Sequence, residues 1–284
     1  MFPQPIDKAS SGRRTGYYAI VWLFLLIWLL PIIGIAVTSI RSVEDLNAGN
    51  YWGWPTKFMF LENYGRVFTS SPMATFLLNS AIITVVSVIG AIALSSMAGF
   101  ALSKYRFRGS VMLLALFIAG NFVPFQMLMI PVRDLSIGVF HVYDTIWGLI
   151  IFHIAFQTGF CTLFMRNFIA ELPTELIEAA RVEGVTEFQI FRHIILPLVR
   201  PAMAALFVLV FTFVWNDFFW SLVLVQSDAA RPVTAGLQAL RETWTTTWHL
   251  ISAGSLLAAV PPVVVFFLMQ RQFIAGLTFG ATKG

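Results

Sequence analysis

The chain has 284 residues, 58% of them hydrophobic and only 11% charged, with a formal net charge of +4. Soluble domains carry about 25% charged residues, so the polar coat that a water-soluble enzyme, a disordered chain or a nucleic-acid binder needs is missing, and a mean hydropathy of +0.81 agrees. The one cysteine, Cys161, excludes an internal disulfide and a Cys-rich metal site.

Crossing a hydrocarbon core about 30 Å thick takes roughly 20 mostly apolar residues as a helix. Six windows qualify, near 17–37, 74–103, 110–130, 145–165, 202–225 and 251–269. In lipid only helices and closed barrels satisfy every backbone polar group, and runs this long and apolar are helical. The expected fold is therefore all-α: a polytopic membrane protein with six transmembrane helices. It divides into a cytoplasmic segment over 1–16, a transmembrane domain over 17–270 and a cytoplasmic tail over 271–284.

The first window follows Lys8, Arg13 and Arg14. Its apolar run exceeds that of a signal peptide and no small-residue cleavage site follows, so it reads as a retained span behind a basic cytoplasmic anchor. The stretch 38–73 reads as a long outer loop. Trp52, Trp54 and Tyr64 there suit either the headgroup level or an extracytoplasmic partner, and both readings stay open. Span two carries Asn79. The tight turn after it holds Lys104, Arg106 and Arg108, which place it inside. Across the whole chain, the segments assigned inside carry 12 Lys and Arg and those assigned outside carry 6, with both termini cytoplasmic.

Span three contains Asn121, Pro124, Gln126 and Pro131. Two prolines predict a kink or unwinding, and carbonyls freed in this way need polar or aqueous neighbours, which suits a cavity wall. Span four adds Gln157; His153 and Cys161 read as packing residues without metal partners. Span five contains Asn216 and Asp217. An aspartate near a helix centre costs about 2.5–3.5 kcal/mol, and the apolar residues around it return roughly 4–8 kcal/mol on the same scale. The span is thus tolerated, with Asp217 facing a water-filled path or a neighbouring helix. The rings of Trp215 and Trp220 suit stacking on an apolar solute face. In span six Ser252, Gly254 and Ser255 read as close-packing residues. Gly276 and Gly280 lie beyond that span, which argues against a membrane dimer motif.

The cytoplasmic loop over 166–197 is the most informative stretch. Thr174 after Pro173 is expected to cap a helix with Glu175 and Glu178 near its positive end. Gly184 lets that helix stop and turn. Thr186 and Gln189 have the spacing of a capping box for a second short helix, which Pro197 is expected to end. Five acids (Glu171, Glu175, Glu178, Glu183, Glu187) outnumber Arg166, Arg181 and Arg192. An amphipathic helix on anionic lipid is instead rich in Lys and Arg, so the pair is expected to dock on protein. Ala179 and Ala180 would permit close approach, and Glu178 and Arg181 directional polar contacts.

The run Glu178-Ala179-Ala180, then Gly184, then Ile195-Leu196-Pro197 resembles the EAA loop of importer-type ABC transporter permeases, with Glu183 where many members carry Asp. Trp215-Asn216-Asp217-Phe218-Phe219-Trp220 resembles a motif of carbohydrate permeases, and 273–284 is similar to the tail of the maltose-type second-permease subgroup. The resemblance implies a permease subunit in a bacterial inner membrane, forming half of a path for a sugar or sugar derivative. Its implied partners are a homologous permease, two ATPase subunits and an extracytoplasmic substrate-binding protein, besides membrane lipid; no nucleic acid is implied. Glu178, Ala179, Ala180 and Gly184 would couple to the ATPases, and Asn216, Asp217, Asn121, Gln126, Asn79 and Gln157 are the candidate path residues. No G-x-x-x-x-G-K-[ST] loop occurs in the chain. ATP and Mg are therefore expected on the ATPases, and no cofactor, metal or catalytic residue is expected here. The alternative is a secondary transporter driven by an ion gradient, which would want an intramembrane ionisable relay and often an internal repeat.

Overall fold

The computed structural model describes residues 10–241 and 247–278. In chain order its helices are α1 (Ser11–Ser39), α2 (Val43–Asn47), α3 (Phe60–Ser70), α4 (Met73–Lys104), α5 (Ser110–Phe122), α6 (Met129–Gly138), α7 (Ile146–Ala170), α8 (Thr174–Val182), α9 (Glu187–Ile190), α10 (Leu196–Leu198), α11 (Arg200–Trp215), α12 (Phe219–Leu224), α13 (Val233–Gly236) and α14 (Trp248–Thr278). A 3-10 turn covers Phe125–Leu128 and another Leu237–Leu240, while Phe191–Ile195 is a π turn. The described residues are all-helical, without strands. Four helices, α1, α4, α7 and α14, are each long and apolar enough to cross a bilayer, and two bent pairs bring the total to six if each is one span.

Both bends have a proline cause. Between α5 and the segment 125–138 the axis turns by 96°. Pro124 disfavours helical backbone at the residue before it, and Val123 is accordingly extended at φ −70°, ψ 121°. The kink expected in span three is thus a near-right-angle break. Between 187–198 and α11 the axis turns by 73°, where Pro201 has no N–H to give to the Pro197 carbonyl. Pro197 does not end the second short helix of 166–197 as expected. The chain passes from α9 through the π turn, where the Leu196 N–H reaches the Phe191 carbonyl, and on to Leu198.

The chain divides into two compact units. The first comprises residues 1–71 and 240–257. Residues 38–71 of the stretch expected as a loop hold α2 and α3. Ser42 caps α2 by accepting the Asp45 N–H at 3.2 Å. Arg41 is fully buried, and its guanidinium donates to the carbonyls of Asn50, at 2.6 Å, and Gly53. Asn63 on α3 donates to the Ser39 and Arg41 carbonyls at 2.9 and 2.8 Å. These bonds satisfy backbone groups that a loose loop would leave to water. A cavity of about 420 Å³ lies between α1, Leu46, Tyr51, Trp52 and the start of α14.

The second unit comprises residues 72–239 and 258–284. Its centre is the pairing of α4 with α7, the most extensive between any two helices. Buried Ser87, Ala91, Ser95 and Gly99 keep that face of α4 small. A Cβ on Gly99 would lie 2.8 Å from the Arg166 nitrogen, so the backbones meet at close range, as small residues permit between membrane helices. α11 packs on α4, and α5 on α7. Asn79 and Ser80 hold the segment after α12: Asn79 donates to the Ala229 and Arg231 carbonyls at 2.9 and 3.0 Å, and Ser80 Oγ accepts the Val233 N–H at 2.8 Å.

Candidate functional site

The fifth window, expected as one helix with Asp217 near its middle, is interrupted. α11 ends at Trp215 and α12 starts at Phe219. The Asp217 carboxylate explains the break. Its two oxygens accept the N–H groups of Trp220 and Ser221 at 3.3 and 3.2 Å, capping the first turn of α12. Thr234 donates its hydroxyl to the Asp217 carbonyl. Side-chain and main-chain bonds thus replace the helical ladder that the break removes.

This break forms one wall of a cavity of about 330 Å³. Asn216, Asp217 and Trp220 face Phe152, His153, Phe156 and Gln157 from α7, with Phe125 entering from the 3-10 turn after Pro124. His153 Nε2 lies 3.7 Å from an Asp217 oxygen. The Phe152 and Trp220 rings pack with centroids 3.7 Å apart. The wall combines aromatic faces with two amides, a carboxylate and an imidazole. Such an arrangement suits a polar solute with apolar ring faces.

Of the six candidate path residues, the cavity brings together Asn216, Asp217 and Gln157. Asn79 lies elsewhere, with its amide committed to the Ala229 and Arg231 carbonyls. Asn121 donates to the Phe117 carbonyl at 2.7 Å on an exposed face of α5, and Gln126 is exposed while its neighbour Phe125 turns to the cavity. Of the two tryptophans considered for stacking, Trp220 lines the cavity. Trp215 instead donates its indole N–H to the Ala258 carbonyl at 2.9 Å. His153 was read from the sequence as packing. Its signal was the spacing to Gln157, four residues on and so on the same helix face. Among the described residues no group of three His, Cys, Asp or Glu side chains is placed to hold a metal ion.

The second candidate element is the elbow of α8 and α9. α8 begins at Thr174 with Pro173 before it and no side-chain cap, so Thr174 does not cap it as the sequence suggested. Gly184 has φ +78°. Its N–H reaches the Arg181 carbonyl at 3.0 Å and that of Val185 the Ala180 carbonyl at 3.0 Å, which together make a Schellman stop. The capping box of Thr186 and Gln189 is present. Ile177, Ala180, Ile190 and Ile195 turn into the chain, while Glu178, Ala179 and Gly184 are exposed. Val182 is 89% exposed one turn beyond Glu178. Of the two alanines, only Ala179 is open to a partner.

Comparisons with known proteins agree on the family. Residues 91–278 match the family model described as binding-protein-dependent transport system inner membrane component. The chain is 34% identical over 285 residues to the osmoprotective compounds uptake permease GgtD of Synechocystis, covering 97% of this chain and 94% of that protein. It is also 34% identical over 258 residues to the arabinooligosaccharides transport system permease AraQ of Halalkalibacterium halodurans, covering 90% and 91%. Among solved structures, a chain of a bacterial ABC transporter involved in the import of the acidic polysaccharide alginate superposes with a TM-score of 0.80 at 25% identity, covering 96% of this chain and all of that one. These matches leave no place for the ion-gradient alternative: the chain belongs to the family of inner-membrane components of binding-protein-dependent transport systems, and it is the permease subunit of an ABC importer, with the ATPase a separate subunit.

Proposed function

We propose that this permease carries an uncharged sugar or oligosaccharide, and that the cavity around Asn216, Asp217 and Gln157 is part of the solute path. The observation that carries this reading is the composition of the wall: aromatic rings from Phe125, Phe152, Phe156 and Trp220 beside amide and carboxylate groups, with no Lys or Arg among its lining residues. Aromatic faces match the C–H faces of a pyranose, and amide and carboxylate groups match its hydroxyls. Relatives named for arabinooligosaccharides and osmoprotective compounds support the solute class. The rest of the assembly in this reading is a homologous permease, two ATPases holding ATP and Mg, and an extracytoplasmic binding protein. Both termini are cytoplasmic. The exposed Glu178, Ala179 and Gly184 form the contact to an ATPase, with Ala180 seating the helix beneath.

The test is uptake into proteoliposomes of the assembled transporter, using arabinotriose, maltotriose and an alginate oligosaccharide as solutes. A neutral sugar should be taken up fastest. Gln157→Ala and Asn216→Ala should each slow it about tenfold, the effect of losing one or two hydrogen bonds, without changing affinity for the binding protein. Fastest uptake of the alginate oligosaccharide, or unchanged uptake in both variants, would refute the assignment.

A further inference from the structure

The cytoplasmic end of α4 grips the α8–α9 elbow at several separate places. Lys104 Nζ donates to the Leu172 carbonyl at 2.6 Å, just before α8. The Tyr105 hydroxyl donates to Glu187 at the start of α9. Glu187 also accepts from Arg181, in the last turn of α8, through Nε at 2.7 Å and the second guanidinium nitrogen at 3.3 Å. The Arg181 guanidinium carbon stands 5.5 Å from the centre of the Tyr105 ring. Phe100 packs edge-on to Tyr105 at 5.4 Å and against Phe191 of the π turn at 5.6 Å.

The electrostatics are mutually consistent. Arg181 first, and then Tyr105, hold the Glu187 carboxyl below its ordinary value. Burial, followed by the bond to Glu187, raises the Tyr105 phenol, and Glu187 first, then Tyr105, raises Arg181. Arg181 and Glu187 are both substantially exposed. An isolated pair of that kind contributes little to stability, so its energy does not explain the arrangement. Its geometry does. A two-pronged guanidinium on a carboxylate fixes direction as well as distance, and the cation-π contact with Tyr105 adds a second point of attachment. The joined parts are the two helices on either side of the Gly184 turn and the end of the longest helix in the second unit.

We propose that Tyr105, Arg181 and Glu187 form a latch that makes the elbow and α4 move as one body, so that displacement of the elbow is delivered along α4 and, through its pairing with α7, to the helix face carrying His153 and Gln157. The three are positioning residues, acting through α4 rather than touching solute or nucleotide. The proposal rests on the elbow's being the contact to the ATPase. A pair of helices that hinged freely at Gly184 would absorb the motor's movement locally. Joined at both ends of the turn to one rigid helix, they pass it on.

The experiment measures ATP hydrolysis and sugar uptake in the same proteoliposomes of the assembled transporter, with the neutral sugar taken up fastest by the unaltered protein. Tyr105→Phe, Glu187→Gln and Arg181→Lys should leave hydrolysis within about twofold while sugar carried per ATP falls about fivefold, equivalent to ~1 kcal/mol of lost coupling. Arg181→Lys keeps the charge but not the fork, so it tests geometry rather than attraction. The exchange Arg181→Glu with Glu187→Arg should recover part of the ratio. An unchanged ratio in all three single variants overturns the latch, as does a parallel fall of hydrolysis and uptake. Glu178→Ala separates the two levels of the argument. If it uncouples the transporter and the latch variants do not, only the latch falls; if it too has no effect, the reading of the elbow falls with it.

Discussion

Replacing Trp215 by Phe removes the indole N–H that reaches the Ala258 carbonyl. That carbonyl has no helical partner, because the residue four positions on is Pro262, which lacks an N–H although it lies inside α14. Leaving such a group unpaired costs ~1–3 kcal/mol in proteins generally, whereas polar pairs between membrane helices average ~0.6 kcal/mol and reach ~1.7. The expected loss from the bond is therefore about 1 kcal/mol. Trimming the indole also loosens its packing on Phe211, whose ring stacks at 5.6 Å with the planes 9° apart. A double-mutant cycle separates the two contributions. In a Pro262→Ala background the new amide closes the helical bond to Ala258, so Trp215→Phe should lose only the packing part and cost about 1 kcal/mol less. Thermal unfolding of the four proteins in one detergent reads the cycle. An equal cost of Trp215→Phe in both backgrounds refutes the view that the tryptophan serves the carbonyl freed by Pro262.

Gly184→Val should strain the Schellman turn by ~1–2 kcal/mol, because a left-handed residue with a side chain is disfavoured, and should lower ATP-coupled uptake roughly 5–30-fold with membrane insertion intact. Nothing lies within 4 Å of an added Cβ, so the loss is conformational, and Gly184→Asn, which tolerates that backbone, should retain most uptake; equal losses in the two variants would count against it. Asp144 resists ionisation through burial, yet the N–H groups of Ser227 and Gln226, at 2.8 and 2.7 Å, outweigh burial and set its carboxyl below the ordinary value. A depressed acid stabilises above its unfolded pKa of ~3.9 and loses that contribution as pH falls through the lower folded value. Hydrogen exchange at the Ser227 amide should accelerate below about pH 4 relative to its intrinsic rate, and Asp144→Asn should remove that pH dependence; an unchanged profile in the variant would sink the assignment.

Much of the helical layout is legible in hydropathy, since lipid demands long apolar helices and the structure supplies four such helices and two bent pairs. The Gly184 stop and the Thr186 capping box are legible for a similar reason: both are set by a few adjacent residues. The internal order of 38–73 is not. It depends on a buried arginine serving carbonyls 9 and 12 residues away, and hydropathy registers Arg41 only as a charge. The candidate path residues are legible only one at a time. Spans two to five each hold an amide or acid, but which of them turn to the same cavity depends on how the helices pack.

What the amino-acid sequence determined by itself is what local rules decide: an all-helical membrane chain, a proline break in span three, and a glycine elbow bearing the EAA pattern. Only the tertiary structure decided that Asp217 caps a broken helix, that His153 and Gln157 meet it across a cavity, that Asn79 serves a loop instead, and that Tyr105 joins Arg181 and Glu187. The physical reason is that propensity, capping and hydropathy act over a few residues along the chain. The partner of a polar group in an apolar interior is whichever donor or acceptor the packing of other helices brings within about 3 Å, and that depends on crossings such as that of α4 and α7 at Gly99.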